Sequence, residues 1–561
     1  MSRIPSKLHP IVLTEPEALL FSILRDCADD IHRDDPSKPP LVLRVAGGWV
    51  RDKLLGKLSD DIDIAIDKME GEPFAQRLSQ CMKEKGLEEL RVATIQVNPE
   101  KSKHLETANA RVLGYLVDFV NLRTETYSND SRIPHVDFGS PLDDASRRDI
   151  TINALFYNIH TGEVEDFLGT GLQDLANGYI RTPLPAMQTF VDDPLRVLRV
   201  IRFASRFGYR IDDDILNTVK NNVVKEKFEE KITRERVGVE VHKMLKGPNP
   251  VLALRIIHDF GFYPVVFRAP TVPIAIEGGR DMDPSLSVAY AHVLERIFAS
   301  PALPQMFAHS LKLNVCEDDH FLLYLTASVI PARGRTFLDR KKKKQSLSRE
   351  ILLTSLKLSA YESDVASDVL NGSLRAAAAI RAHIATENGL DRRTLALLIR
   401  ELGKPPVLSK WYLNVLFAWA DEVVATSDDS DEAVLRLGLK YTRFMRSIRE
   451  FGIEDAYDFR PHLNGKEVAA HFGLRPGPEI GEYLNRLTEW QLGEPDATKE
   501  DCTRWLTAYV LGKLEKQCAD SVYDFAKLTC PFFDFIRSSS HRAQNNGQQK
   551  AEEQIVLAVH L

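Results

Sequence analysis

The sequence predicts an α+β protein: an N-terminal head that mixes strands and helices, followed by an almost wholly helical remainder. Three observations predict it. Residues 41–180 mix short β-rich runs, LVLRVAGG, DIDIAI and YLVDFVNL, with Gly and Pro punctuation and a helical stretch, PFAQRLSQCMKEKG. From about Pro194 the apolar spacing becomes helical in PLRVLRVIRFASRF, DDILNTVKNNVVKEKF and TRERVGVEVHKMLKG, and the rest of the chain stays almost wholly helical. Finally, 561 residues exceed what one hydrophobic core holds, so several domains are expected.

The segment TPLPAMQT, with two prolines and no periodicity, marks the end of the head, and a softer break falls near residues 268–284. These two breaks divide the chain at about residues 180 and 280. Residues 333–345, which contain RKKKKQ, read as a basic loop: solvated, in contact with an RNA backbone, or an import signal. At the C-terminus SSSHRAQNNGQQKAEEQ is polar and expected to be mobile, while IVLAVHL is apolar enough to dock.

Composition narrows the function classes. With 44% hydrophobic and 27% charged residues, a collagenous, low-complexity or wholly disordered chain is excluded. The six cysteines, Cys27, Cys81, Cys316, Cys502, Cys518 and Cys530, form no C-x-x-C pair and no zinc-ligand spacing. No apolar run approaches the ~18 residues needed to cross a bilayer, and the N-terminus lacks a secretory h-region, so an intracellular protein is expected. MSRIPSKLHP carries no sustained amphipathic presequence, which leaves cytoplasm, nucleus and mitochondrion open. A net charge of -7 means that any polyanionic partner must be held by local basic surface.

The most informative segment is VAGGWVRDKLLGKLSDDIDIAI, residues 45–66. A strand enters Gly47-Gly48, a short helix follows, and a second strand carries Asp61 and Asp63 on one face with Ile62, Ile64 and Ile66 on the other. Two carboxylates on an apolar strand make a platform for Mg²⁺, which prefers carboxylate oxygen and leaves positions open for substrate phosphates. A bare D-x-D is more often a solvated acidic face. Here Gly47 and Gly48 let backbone N–H groups approach a triphosphate, and Arg51 follows to meet phosphate charge. Asp118, in YLVDFVNLR, is a third carboxylate among apolar neighbours, where an unpaired charge is costly; Arg123 or a shared metal would satisfy it.

Two further segments carry nucleotide chemistry. In DDASRRDITINALFYN, Arg147 and Arg148 suit phosphate and Asp149 suits ribose hydroxyls, ahead of an apolar pattern that reads as a helix capped by Asp149 or Thr151. In DDPLRVLRVIRF, Asp193 and Arg196 stand three apart, and Arg196, Arg199 and Arg202 repeat along one side of a helix starting near Pro194. A carboxylate accepts from an exocyclic amine and a guanidinium donates to a ring nitrogen, so an Asp/Arg pair fits the Watson–Crick edges of cytosine and adenine. Guanine and uracil would leave those groups unpaired. For an isolated stretch, a solvated face of i,i+3 ion pairs is the blander reading.

The ordered segments GGWVRDKLLG with DDIDI, DDASRRDITINAL, EDFLGTGLQDL and DDPLRVLRVIRFASRFGYRID resemble the motifs of bacterial and eukaryotic tRNA nucleotidyltransferases, in the superfamily they share with poly(A) polymerases. NPEKSKHLETA, VDFVNLR and LNGKEVAAHFGLRPGPEIGEYLNRLTEWQLGEP resemble the eukaryotic branch. The resemblance implies a catalytic head with a small mixed or antiparallel β-sheet and helices over 1–180, an all-α neck over 181–280, body over 281–430 and tail over 431–561, and CCA addition to tRNA from CTP and ATP by two-metal nucleotidyl transfer, with release of pyrophosphate. It places the metal-binding pair on Asp61 and Asp63, the nucleotide contacts on Gly47, Gly48, Arg51, Arg147, Arg148 and Asp149, and the base-reading motif on Asp192, Asp193 and Arg196, with Arg199 and Arg202 on the phosphate side. Asp192 stands where the family has Glu. Mg²⁺, tRNA, CTP and ATP are the expected cofactor and partners, a helical tail is expected to bind tRNA, and a monomer is expected. Poly(A) polymerase is the alternative within the class, and a non-catalytic RNA-binding relative the alternative outside it.

Overall fold

The computed structural model describes residues 8–86, 92–95, 107–126, 135–269, 276–279, 281–308, 310, 313–339 and 341–522. The chain forms two compact units, one made of Met1–His292 with Cys316–Ser367 and the other of Val293–Val315 with Asp368–Leu561.

The first unit opens with α1 (Glu15–Asp34), whose N-terminus is fixed by a capping box between Thr14 and Glu17 and whose Leu20, Phe21, Leu24 and Cys27 are buried. β1 (Leu43–Ala46) runs into α2 (Gly48–Leu54), and β2 (Asp61–Ile66) returns antiparallel to β1. α3 (Gly71–Glu84), β3 (Val92–Ile95), β4 (Thr107–Val112) and β5 (Tyr115–Asn121) follow. β5 lies parallel to β2, and β4 pairs antiparallel with both β3 and β5. β6 (Arg123–Thr126) and β7 (His135–Phe138) make a separate ribbon before α4 (Pro141–Ser146). β8 (Phe156–Asn158) and β9 (Glu163–Glu165) complete a seven-stranded mixed sheet in the order β3-β4-β5-β2-β1-β8-β9. The predicted mixed sheet is therefore present, with β2 at its centre.

α5 (Gly171–Asn177), β10 (Tyr179–Ile180), α6 (Ala186–Asp192), α7 (Arg196–Phe207), β11 (Arg210–Ile211), α8 (Asp213–Thr218), α9 (Asn222–Lys231) and α10 (Arg234–Leu245) continue the unit. α7 presents Val197, Leu198, Val200, Ile201, Phe203 and Ala204 to the core. TPLPAMQT runs into α6, which starts at Ala186. The basic stretch is not a plain loop: β12 (Ile276–Glu277), β13 (Thr336–Leu338) and β14 (Lys344–Ser346) form a small sheet, and Asp339 closes the β13–β14 turn by accepting from the Lys341 and Lys343 N–H groups, each at 2.9 Å. Most of NPEKSKHLETA and the polar C-terminal stretch lie outside the described residues.

The second unit is helical. Trp419 and Tyr441 stack with ring centroids 6.1 Å apart in one core, and Val468, Phe472, Leu487, Cys502 and Leu506 form another. Among the described residues no helix is long and apolar enough to cross a membrane.

A buried polar cluster ties α1 to α2. Glu17 accepts from Lys53 Nζ at 2.7 Å, from Trp49 Nε1 at 3.0 Å and from the Thr14 N–H at 2.7 Å. Burial alone would push the Glu17 carboxyl up, but those donors outweigh it and hold it below its ordinary value of 4.5. Glu17 is thus ionised more readily folded than unfolded, so its contribution is present above pH 4.5 and is lost as pH falls through the lower, folded value. Replacing Glu17 with Ala leaves Lys53 buried and unpaired, and thermal unfolding at pH 7 should show a loss of about 3–5 kcal/mol.

Candidate active site

β1 delivers the chain to Gly47, which caps α2 with φ 73° and ψ -121°. Its N–H donates to Leu155 O at 3.0 Å, so the open donors here are the first N–H groups of α2, which have no partner within the helix. A Cβ on Gly47 would lie 2.9 Å from Arg148 Nη1. The glycine therefore gives room to an arginine from another segment as well as to any phosphate. Gly47→Ala combines this clash with a left-handed backbone, and calorimetry should show a loss of about 1–3 kcal/mol, with activity falling as Arg148 is displaced.

β2 places Asp61 and Asp63 on the face opposite Ile62, Ile64 and Ile66, all three of which are fully buried. Because β2 and β5 are parallel and in register, Asp63 stands directly beside Asp118, with Asn109 of β4 on the far side of Asp118. Burial, then Asp61, and beyond the partial relief from Arg148 also Asp118 and Asp144, push the Asp63 carboxyl up to about 6. Burial and Asp61 push Asp118 upward as well. Arg123 does not relieve Asp118: it donates to Glu125 at 3.0 Å.

These carboxylates are thus crowded with insufficient positive charge, which is the condition a divalent cation corrects. Among the described residues no three His, Cys, Asp or Glu side chains enclose a metal by themselves. Mg²⁺ takes one or two protein carboxylates and completes its shell with water and substrate phosphates. Asp61 and Asp63 fit such a half-site.

The R-R-D segment is not the start of a helix. Arg147 and Arg148 follow α4, residues 151–153 make a single tight turn, and the expected helical pattern becomes β8, paired with β1. Apolar periodicity over nine residues failed because Ile152 of the turn and Leu155 after it are buried for reasons other than a helix face, and β8 is buried at every position, so it shows no alternation.

Asp144 organises both arginines: Arg147 Nε reaches its Oδ1 at 2.9 Å and Arg148 Nη2 its Oδ2 at 2.9 Å. Burial raises the Asp144 carboxyl, yet Arg148 and Arg147 together bring it below the usual range. Arg147 also bonds Glu125 at 3.0 Å. Asp149 is buried and accepts from its neighbour Ile150 N–H, from Asn153 Nδ2 at 3.1 Å and from Arg199 Nε at 2.8 Å.

α7 is brought to this segment. Arg196 Nη2 donates to Arg147 O at 2.6 Å and Arg199 pairs with Asp149, while Arg202 pairs with Glu240 of α10 at 2.6 Å. Asp193 accepts from the Leu195 N–H at 3.2 Å and faces Arg236 at 3.4 Å. The predicted basic side of α7 exists, but its arginines hold the helix against its neighbours.

Arg51 is buried, donating from Nε to Asp52 at 2.9 Å and from Nη1 to Asn153 Oδ1, with its guanidinium 5.3 Å from the Phe203 ring centroid and 5.0 Å from that of Phe207. Asp144, Asn153, Glu125, Arg236 and Glu240 escaped sequence reasoning. The one available signal was Asp144, an acidic residue spaced i,i+3 and i,i+4 from the paired arginines.

Residues 43–181 match the poly A polymerase head domain family. The Saccharomyces cerevisiae protein named CCA tRNA nucleotidyltransferase, mitochondrial, is 37% identical over 517 residues, covering 89% of this chain and 94% of its own. A tRNA nucleotidyltransferase of Schizosaccharomyces pombe is 37% identical over 495 residues, covering 87% and 95%. The solved structure of the Thermotoga maritima CCA-adding enzyme complexed with tRNA is similar in fold, with a TM-score of 0.54 at 20% identity over 89% of this chain and 96% of that one.

Proposed function

The chain belongs to the CCA tRNA nucleotidyltransferase family, and from that premise we propose that it adds C, C and A to the 3′ end of tRNA from CTP and ATP, releasing pyrophosphate. The observation that carries the reading is the juxtaposition within one unit: Asp63 beside Asp118, Arg148 acting on Asp63, and the segment of Arg148 tied through Asp149 to α7.

Asp61 and Asp63 would hold Mg²⁺ for a two-metal transfer, in which it would supply charge neutralisation on the triphosphate and activation of the tRNA 3′-hydroxyl. Asp118 adds negative charge beside them. The first N–H groups of α2 and Arg148 meet the phosphates. Asp193 and Arg196 read the base: the carboxylate has lone pairs beyond those engaged by Leu195 and Arg236, and accepts from the exocyclic amine of cytosine or adenine. Arg199 and Arg202 hold α7 in place. The helical second unit holds tRNA by shape and backbone charge.

The match of the head to a family named for poly A polymerase favours a second reading, A-tailing. One assay separates the two. Given tRNA lacking its CCA end, the chain should add two residues from labelled CTP alone and should stop after one A when ATP is also present. A homopolymeric A tail would establish the rival reading, and no incorporation from either nucleotide would contradict both.

A further inference from the structure

We propose that Asn153 is a positioning residue for nucleotide selection: its side-chain amide keys the base-reading helix α7 to the Gly-Gly turn, through Asp149 on one side and Arg51 on the other. The proposal rests on the nucleotidyltransferase reading above.

Asn153 is buried, and its two partners fix its orientation. The Arg51 guanidinium only donates, so it faces Oδ1; the Asp149 carboxylate only accepts, so it faces Nδ2, at 3.1 Å. No other side chain of this length carries a neutral donor and a neutral acceptor in one plane. Aspartate would set a second carboxylate against Asp149, and alanine would leave a buried guanidinium N–H and a carboxylate lone pair unpaired. The backbone carbonyl of the same residue accepts from Arg148 Nη1 at 3.1 Å, and that guanidinium packs where Gly47 has no side chain.

Both arms of the amide end on α7. Asp149 receives Arg199 at 2.8 Å. Arg51 packs on Phe203 and Phe207 and bonds Asp52, which in turn meets Arg206 at 3.5 Å. Asn153 therefore sits between the turn that faces phosphate and a helix held at both of its ends. A rotation of α7 that moved Asp193 and Arg196 off a bound base would disturb the Arg199–Asp149 pair or the packing of Arg51 on Phe203 and Phe207, the two contacts whose inner partners the Asn153 amide joins by hydrogen bonds. No atom of Asn153 needs to touch substrate for this.

The test uses the full chain and tRNA lacking CCA, comparing wild type with Asn153→Ala for incorporation of CTP, ATP and UTP. The expected result is a folded variant whose KM for CTP and ATP rises about tenfold with a smaller change in kcat, and whose UTP incorporation relative to CTP rises about tenfold, the discrimination carried by about one buried hydrogen bond. Combined with Arg199→Lys, the loss of discrimination should be smaller than the sum of the single losses, because both act through Asp149. Where Asn153→Ala does not fold, Asn153→Ser takes its place in the same measurements. A folded variant with wild-type KM and discrimination, or additive losses, or failure of both variants to fold, would overturn the proposal while leaving the enzyme reading standing. A wild-type chain that adds neither CTP nor ATP would overturn both.

Discussion

Asp63→Asn is expected to reduce nucleotide addition by about 10³-fold or more, the loss of several kcal/mol of charge stabilisation at the reacting phosphate, while the fold becomes no less stable. The two halves of that expectation come from one observation. Asp63 is half-buried, close to Asp61 and in register with Asp118, and its carboxyl is pushed up to about 6, so the ionised side chain is a burden on the cation-free fold. The amide has the same shape and no charge. It removes the repulsion and, with it, the ligand. Thermal unfolding without added metal, set beside single-nucleotide incorporation with Mg²⁺, checks both. A large fall in unfolding temperature alongside the activity loss would mean that Asp63 supports the fold.

Asp193→Asn should act on choice rather than on chemistry. kcat/KM for both CTP and ATP is expected to fall about 10²-fold, because a charge-assisted bond to the exocyclic amine is replaced by a neutral one. UTP should lose far less, since the new Nδ2–H faces the uracil carbonyl, although Arg196 still opposes the uracil ring N–H and keeps UTP a poor substrate. A modest stability cost of about 1 kcal/mol accompanies this, since one amide cannot satisfy both the Leu195 N–H and Arg236. Equal losses for CTP, ATP and UTP would show that Asp193 does not read the base.

What the sequence made legible was local. The D-x-D strand, the Gly-Gly turn before a short helix and the start of α7 just after Pro194 follow from alternation, glycine and proline, which act within a few residues. Partners distant in sequence were not legible. Arg51 looks like a free cation in GGWVRD, and nothing nearby reveals Asn153, or the rings of Phe203 and Phe207, that bury it. Asp118 was recognised as needing company, but its cross-strand partner is Asp63 on the parallel β2, and Arg123 turns to Glu125. Parallel pairing joins residues through a long connection, and no spacing rule reports it. The helix expected after Arg148 failed for a related reason: β8 is a buried strand beside β1, so its apolar run has no period to read.

If the carboxylates of β2 and the first turn of α7 serve a single nucleotide, a crystal structure of the chain with CTP and Mg²⁺ will show the triphosphate against Asp61, Asp63 and the start of α2, with the cytosine edge on Asp193 and Arg196. Electron density placing the base away from α7 while the phosphates lie at β2, or the triphosphate in another cavity, would contradict it.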